Sequence, residues 1–451
     1  MSNERNGFSS RLGFVLATAG SAVGLGNIWR FPYLAAKYGG GTFLLTYLIL
    51  TLTFGFSLMI TEVALGRKAG TSAIRAFGHF SKKHTFIGYL TTIIPFIIFP
   101  YYCVIGGWVT KYALVSLQGG IHNAASDTFF TGFISKSAEP MICVLVFLIA
   151  TTVVVAGGVK GGVERVSTIM MPVLIVLLIG VSLFCITRPG AMAGVAYYLK
   201  PSLKGFGPTT ILAALGQLFY SMSLAMGIMI TFGSYMPKKA DLEKSVTQVE
   251  IFDTGVAFLA GLMIVPAVFV FSNGDSSMLA KGPSLMFVML PKVFDSMAFS
   301  SVIAAVFFIL VLLAALTSSI SLLETLVAVL MDKFHMKRGT ACITMFIIAL
   351  LLAVPSSLGF GAWSNITILG FDFLDFFDFI SNSVLMPIAA FLTCIFVGYI
   401  IKPKEIINEV ESSGEFKRKP LFLVMIKYIA PICIVAILVF SVLEGLGFIT
   451  V

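Results

Sequence analysis

Charge is scarce in this 451-residue chain: Asp, Glu, Lys and Arg make up 11%, against 58% hydrophobic residues. A soluble domain of this length needs a far more polar surface, so that class is excluded. Histidine is rarer still. His79, His84, His122 and His335 fall in loops or at the ends of apolar runs, and none forms a metal spacing such as H-E-x-x-H. No nucleophile elbow or phosphate loop is present, which counts against a membrane enzyme. The six cysteines (Cys103, Cys143, Cys185, Cys342, Cys394 and Cys433) lie in or beside apolar runs. No two share an extramembrane loop, so they read as small core residues and not as a disulfide framework. No cleavable signal peptide is expected, because the first apolar segment, near Arg11, lacks a convincing small-residue cleavage site. The net charge of +9 is scattered into short loops, so no nucleic-acid partner is expected.

Apolar runs, in contrast, fill the chain, and its mean hydropathy is +1.00. Runs of ~20 residues are long enough to cross ~30 Å of hydrocarbon. Backbone groups in lipid must be satisfied internally, so each run is expected to be a helix. About eleven spans are expected, at 11–38, 41–64, 86–117, 140–156, 163–186, 208–235, 251–271, 296–330, 339–354, 367–401 and 421–448. A cytoplasmic N-terminus places most Lys and Arg residues inside, among them Arg67, Lys68, Lys82, Lys83, Lys238, Lys239, Lys337 and Arg338. The odd number of spans then puts Val451 outside. The outer stretch 273–291 is long enough for a re-entrant or surface helix, and 77–83 reads as an interfacial segment.

Two spans carry breaks. The first contains Gly20, Gly24, Gly26 and Asn27, with Arg30 and Pro32 close behind. Glycines alone would suit close helix packing. Asn27 and Arg30 in the same span are not explained that way, and point to carbonyls and amides freed at mid-membrane. Freed carbonyls suit a hard cation, and freed amides suit an anionic group. The sixth span carries Ser221 and Ser223 before Gly227. Spans one and six open two possible five-helix halves, and paired interruptions at matching places point to a binding site.

Ionisable and hydroxyl groups within spans need partners. Asp253 lies close to the expected start of span seven, where a solvated helix end is the alternative; Glu62, Glu324 and Asp332 share that ambiguity. Asp378, early in span ten, could reach Arg30. Thr317, Ser318 and Ser319 in span eight are either packing contacts or a set of hydroxyl ligands.

At these residues the chain resembles the neurotransmitter:sodium symporter family. The likeness rests on Arg11-Leu12-Gly13, on the run from Gly20 through Asn27 to Trp29-Arg30-Phe31-Pro32, on Glu62 before Gly66-Arg67, and on Tyr101-Tyr102. It also rests on Gln217 to Gly227 and on Ala314 to Ser319. The eleven spans resemble the bacterial branch that transports multiple hydrophobic amino acids. The resemblance implies an all-α integral membrane fold in one transporter domain over 1–451. Inverted repeats would occupy 11–187 and 208–401, followed by an additional helix at 421–448. It further implies a multi-pass protein of the bacterial plasma membrane, embedded in the lipid bilayer.

The resemblance also assigns roles. One sodium site would use the Ala22 carbonyl, Asn27, Ser221, Asp253 and the substrate carboxylate. A second would use Gly20, Val23, Ala314, Thr317 and Ser318, and oxygen-only shells of this kind suit a hard cation. Asp253 would supply a fixed negative charge where chloride-dependent members carry Ser in place of Ala257, so no chloride requirement is expected. Gly24 stands where amine transporters of the family place Asp, which implies a substrate with its own carboxylate. The carboxylate would meet the amides of Leu25 and Gly26 and the Tyr102 hydroxyl; the amine would meet Ala22, Tyr220, Ser221 and Ser223. Ile98, Tyr102, Phe219, Tyr220, Met226, Ser319 and Leu322 would hold a neutral hydrophobic side chain.

Arg30, Asp378 and Gln217 would close the outer path, and Arg5, Phe8, Tyr235, Glu324 and Asp332 the inner one. The inner residues suit plain helix capping as well. Gly162 and Pro172 would favour local unwinding of span five. The expected function is therefore sodium-coupled symport of neutral aliphatic and aromatic L-amino acids by alternating access. An ion channel and a proton-coupled carrier of related fold are the rival readings.

Overall fold

The computed structural model describes residues 7–202, 206–271 and 283–448, and its regular elements are helices. Arg5 and the first part of the expected outer stretch lie outside the described residues. Among the described residues nine helices are long and apolar enough to cross a membrane. A further pair, Arg11–Ala22 and Gly26–Lys37, passes that test together and is bent by 57° (span one). The nine are Gly41–Ala69 (span two), Lys82–Leu117 (three), Ala138–Ala156 (four), Val159–Ile186 (five), Leu242–Phe271 (seven), Ser300–Phe334 (eight), Arg338–Leu358 (nine), Phe373–Ile400 (ten) and Lys419–Gly445 (eleven). Span six consists of two short helices, Pro208–Ser221 and Ile228–Tyr235.

Several helices run past the ends expected from hydropathy. Span two continues through Arg67 and Lys68 until Gly70, whose φ of 64° ends it in a left-handed cap. Span seven begins at Leu242, so Asp253 lies well inside it and is fully buried, not at a solvated end. Span ten begins later, at Phe373, after a turn region and the Asp372 cap. Charged residues terminate an apolar run without terminating the helix, because a helix needs only its backbone bonds and a cap to continue.

The termini of span one show how local chemistry fixes its position. The Ser10 side chain accepts from the Gly13 amide at 3.0 Å and caps the first half-helix. Pro32 stands at the start of the helical run that ends the second half. The first half packs between spans seven and eight, and the second half-helix of span six packs on span two. Span eight lies along span three. The interfacial expectation for 77–83 corresponds to the helix Ala73–Phe80 and a short turn at Lys82–His84. Leu285–Met289 and Leu290–Asp295 form a helical segment between spans seven and eight. The cysteines are free, and all but Cys433 are buried.

Candidate substrate and ion site

The breaks in spans one and six face each other across a narrow cavity of about 30 Å³. Ala22, Leu25, Gly26, Ile98, Tyr102, Tyr220, Ser221, Ser223, Met226 and Leu322 line it, all of them expected from the sequence. Phe219 and Ser319 do not. Phe219 packs edge-on against Phe54, and the Ser319 hydroxyl points to span four, where it meets Thr151 Oγ1 at 2.8 Å. Ser21, Ile228 and Ser318 line the cavity without having been assigned to the substrate. Among the described residues no charged side chain does so.

The space depends on missing side chains. A Cβ at Gly24 would stand 2.7 Å from Ser318 Oγ and 3.3 Å from the Tyr102 hydroxyl; one at Gly26 would stand 2.6 Å from the Tyr220 ring. The Tyr102 hydroxyl is buried, borders the cavity and has no hydrogen-bond partner among the described residues. An unpaired buried hydroxyl costs free energy, so this atom is suited to a polar ligand group.

Span six breaks differently from span one. Ser223 and Ala225 take φ of 52° and 61°, a left-handed conformation unfavourable to residues with a Cβ, and Gly227 follows at 72°. Two tertiary contacts hold the segment. The Ala225 amide donates to Glu62 Oε1 at 2.7 Å. The Ser223 hydroxyl donates to the Ser21 carbonyl at 3.0 Å, which ties one break to the other. Glu62 thus serves the unwound segment, while its second carboxylate oxygen is buried without a partner among the described residues.

Two clusters of oxygen flank the cavity. In the first, Asp253 Oδ1 accepts from Ser221 Oγ and from Asn27 Nδ2, both at 2.8 Å, and Oδ2 accepts from the Tyr47 hydroxyl at 3.1 Å. The Gly24 amide donates to Asn27 Oδ1 at 3.0 Å. Tyr47 was not anticipated; nothing in the apolar run around it distinguishes its hydroxyl. In the second cluster, Ser318 Oγ lies 3.4, 3.1 and 3.3 Å from the Gly20, Ser21 and Val23 carbonyl oxygens. Thr317 Oγ1 lies 3.0 Å from the Ala314 carbonyl. One hydroxyl proton cannot serve three carbonyls, so this cage has more acceptors than donors, as a small hard cation requires.

The residues expected to close the outer path are near one another but are not joined as an ion pair. The Arg30 guanidinium rests over the Tyr220 ring at 5.4 Å. Asp378 accepts instead from Asn382 Nδ2 at 2.6 Å and from the Tyr101 hydroxyl at 3.1 Å. Gln217 Nε2 donates to the Gly26 carbonyl at 3.0 Å. Among the residues expected to close the inner path, the Phe8 ring packs on Phe14, Phe232 and Tyr235. The Tyr235 hydroxyl donates to Glu324 at 2.8 Å, and Arg338, not foreseen from the sequence, pairs with the same carboxylate. Asp332 accepts from the Ser72 amide at 2.7 Å. Gly162 falls within the π-turn Val159–Glu164, and Pro172 lies inside the helix that follows it.

A family model described as the sodium:neurotransmitter symporter family matches residues 5–132 and 129–446. The chain belongs to that family. As a member it is a transporter and not an enzyme: a multi-pass membrane protein that couples symport to sodium by alternating access. The symporter is 35% identical over 438 residues to an uncharacterized sodium-dependent transporter of Bacillus subtilis (strain 168), covering 95% of this chain and 96% of that one. It is 25% identical to the human sodium- and chloride-dependent taurine transporter, covering 98% of this chain and 78% of the relative. The crystal structure of MhsT in complex with L-phenylalanine superposes with a TM-score of 0.87 at 38% identity, covering 97% of this chain and all of that one. That likeness carries the architecture of two inverted five-helix repeats with a broken first helix.

Proposed function

We propose that the symporter carries neutral hydrophobic L-amino acids, aliphatic and aromatic, together with sodium. The observation that supports this most is the cavity at the double break: apolar on its outer walls, free of charged side chains, and bordered by the unpaired Tyr102 hydroxyl. A substrate carboxylate there meets Tyr102 and the amides of Leu25 and Gly26, while an amine meets Ser223 and the carbonyls of Ala22, Tyr220 and Ser221. Ile98, Met226, Ile228 and Leu322 then surround the side chain. A charged side chain would lose its hydration there without compensation. The solved MhsT complex with L-phenylalanine fits this reading.

In this proposal the Ala22 carbonyl, Asn27, Ser221 and Asp253 hold one sodium ion beside the substrate carboxylate. Turning the Asn27 amide over would offer its oxygen to the ion in place of its nitrogen. Gly20, Val23, Ala314, Thr317 and Ser318 hold the second. Asp253 carries the negative charge that would otherwise fall to chloride, so uptake proceeds without chloride. The direct contact between the first ion and the carboxylate makes each raise the affinity for the other. One charge crossing 100 mV supplies ~2.3 kcal/mol, so two sodium ions with a zwitterion supply ~4.6 kcal/mol. That is about three decades of accumulation at ~1.4 kcal/mol per decade.

The repeat halves, in this proposal, run over 11–187 and 208–401, with the N-terminus cytoplasmic and the C-terminus outside the plasma membrane. Arg30, Gln217 and Asp378 close the outer path; Phe8, Tyr235, Glu324 and Asp332 close the inner one. Uptake of labelled leucine, phenylalanine and tryptophan into proteoliposomes tests the reading. Saturable uptake that needs sodium, not potassium, and persists in gluconate without chloride is expected. Preference for lysine or glutamate over leucine would refute it.

A further inference from the structure

The buried carboxylate of Glu164 has no part in either ion cluster, yet it gathers three donors from a chain segment far away in sequence. The Ser9 amide donates to Oε2 at 2.8 Å and the Ser9 hydroxyl to Oε1 at 2.6 Å. The Ser10 hydroxyl lies 3.4 Å from Oε1 while also capping span one. A Cβ at Gly13 would stand 1.8 Å from Oε1, so the carboxylate lies against the first turn of span one. Glu164 is 6% exposed, and a carboxylate this buried is held only where donors meet it.

These bonds complete a circuit. The Phe8 amide, next in the chain, donates to the Tyr235 carbonyl at 3.0 Å. The Tyr235 hydroxyl bonds Glu324, Glu324 pairs with Arg338, and Arg338 Nη1 donates to the Val155 carbonyl at 2.9 Å. Val155 is the penultimate residue of span four, and after Ala156 and two glycines the π-turn Val159–Glu164 leads the chain to Glu164. The foot of span one is thus enclosed by spans four, five, six, eight and nine.

The π-turn is an arc of that ring that depends on glycine. Gly158 precedes it at φ 83°, and a Cβ at Gly162 would stand 1.9 Å from the Val154 carbonyl. Eight residues beyond Glu164, Pro172 cannot donate to the Thr168 carbonyl, which removes one bond of the helical ladder; separately, the Thr168 hydroxyl donates to the Glu164 carbonyl at 2.7 Å. Glu164 is the last residue of the turn, so any unwinding of 159–164 displaces its carboxylate from Ser9 and Ser10.

We infer that Glu164 is a positioning residue that fastens the foot of span one to the π-turn of span five, so that the two open together. The inference rests on alternating access, not on the amino-acid reading. It is read by hydrogen–deuterium exchange on the purified full chain, so its failure is separate from any failure of uptake. In sodium, Glu164→Ala speeds exchange about tenfold in segments 7–16 and 157–168, as loss of charge-assisted bonds at one locus requires. Spans eight and ten keep their rates. Glu164→Gln, which retains an oxygen acceptor, recovers most of the protection. Ser9→Ala with Ser10→Ala loosens the same two segments in part, and adds little on the Glu164→Ala background. If Glu164→Ala does not fold, the serine pair carries the test alone. Unchanged rates in the two segments, acceleration spread evenly over all spans, or full additivity with the serine pair would each overturn the inference.

Discussion

The breaks in spans one and six do the same work by opposite means. Span one is opened by composition: Gly20, Gly24 and Gly26 weaken it, Val23 is extended at φ −74° and ψ 97°, and no residue from 20 to 30 has a positive φ. Span six is opened by force. Ser223 and Ala225 are held left-handed, and Glu62 and Ser21 hold them there. The first break is a low-energy choice of the local chain. The second stores strain that tertiary contacts offset, which is common at sites that must change shape.

The largest effect expected from this contrast is at the composed break. Gly26→Val drives a side chain into Tyr220, and overpacking of about 1–3 kcal/mol lowers substrate affinity roughly 10–100-fold. Equilibrium binding of labelled leucine checks this, and the melting temperature falls with it. At the forced break, Glu62→Ala leaves the Ala225 amide buried without an acceptor. Stability should fall by about 1–3 kcal/mol, read as a lower melting temperature in detergent. Thr317→Val removes one oxygen from the second ion cage while keeping its shape. Apparent sodium affinity for uptake should weaken about tenfold, since ligand number sets the affinity of oxygen sites. The smallest effect carries the opposite sign. Ala225→Gly relieves a left-handed residue worth about 1–2 kcal/mol, less the entropy of glycine, so a gain of up to about 1 kcal/mol is expected. If Ala225→Gly destabilises instead, the strain assigned to span six is wrong.

The same contrast explains what could be read from the sequence. Ten of the eleven expected spans were legible among the described residues because length and apolarity alone specify a helix in lipid, and the two short helices of span six do not pass that test. The break in span one was legible because glycine, asparagine and proline act locally. The break in span six was only half legible: Gly227 marks one end, but Ser223 and Ala225 adopt their conformation because of Glu62, a residue 163 positions away from Ala225. Tyr47 went unnoticed for the same reason, since its role depends on Asp253 across two helices. Ser319 and Phe219 show the converse. Adjacent to residues that face the cavity, they turn away from it, as helical geometry directs neighbouring side chains to different faces.

The central claim is that sodium and the substrate carboxylate bind side by side at the facing breaks. Leucine binding to the purified chain, titrated against sodium at constant ionic strength, tests it most directly. Leucine affinity should climb with sodium in the native chain, and the climb should become markedly shallower in Asp253→Ala. Equal leucine affinity in sodium and in potassium would contradict the claim.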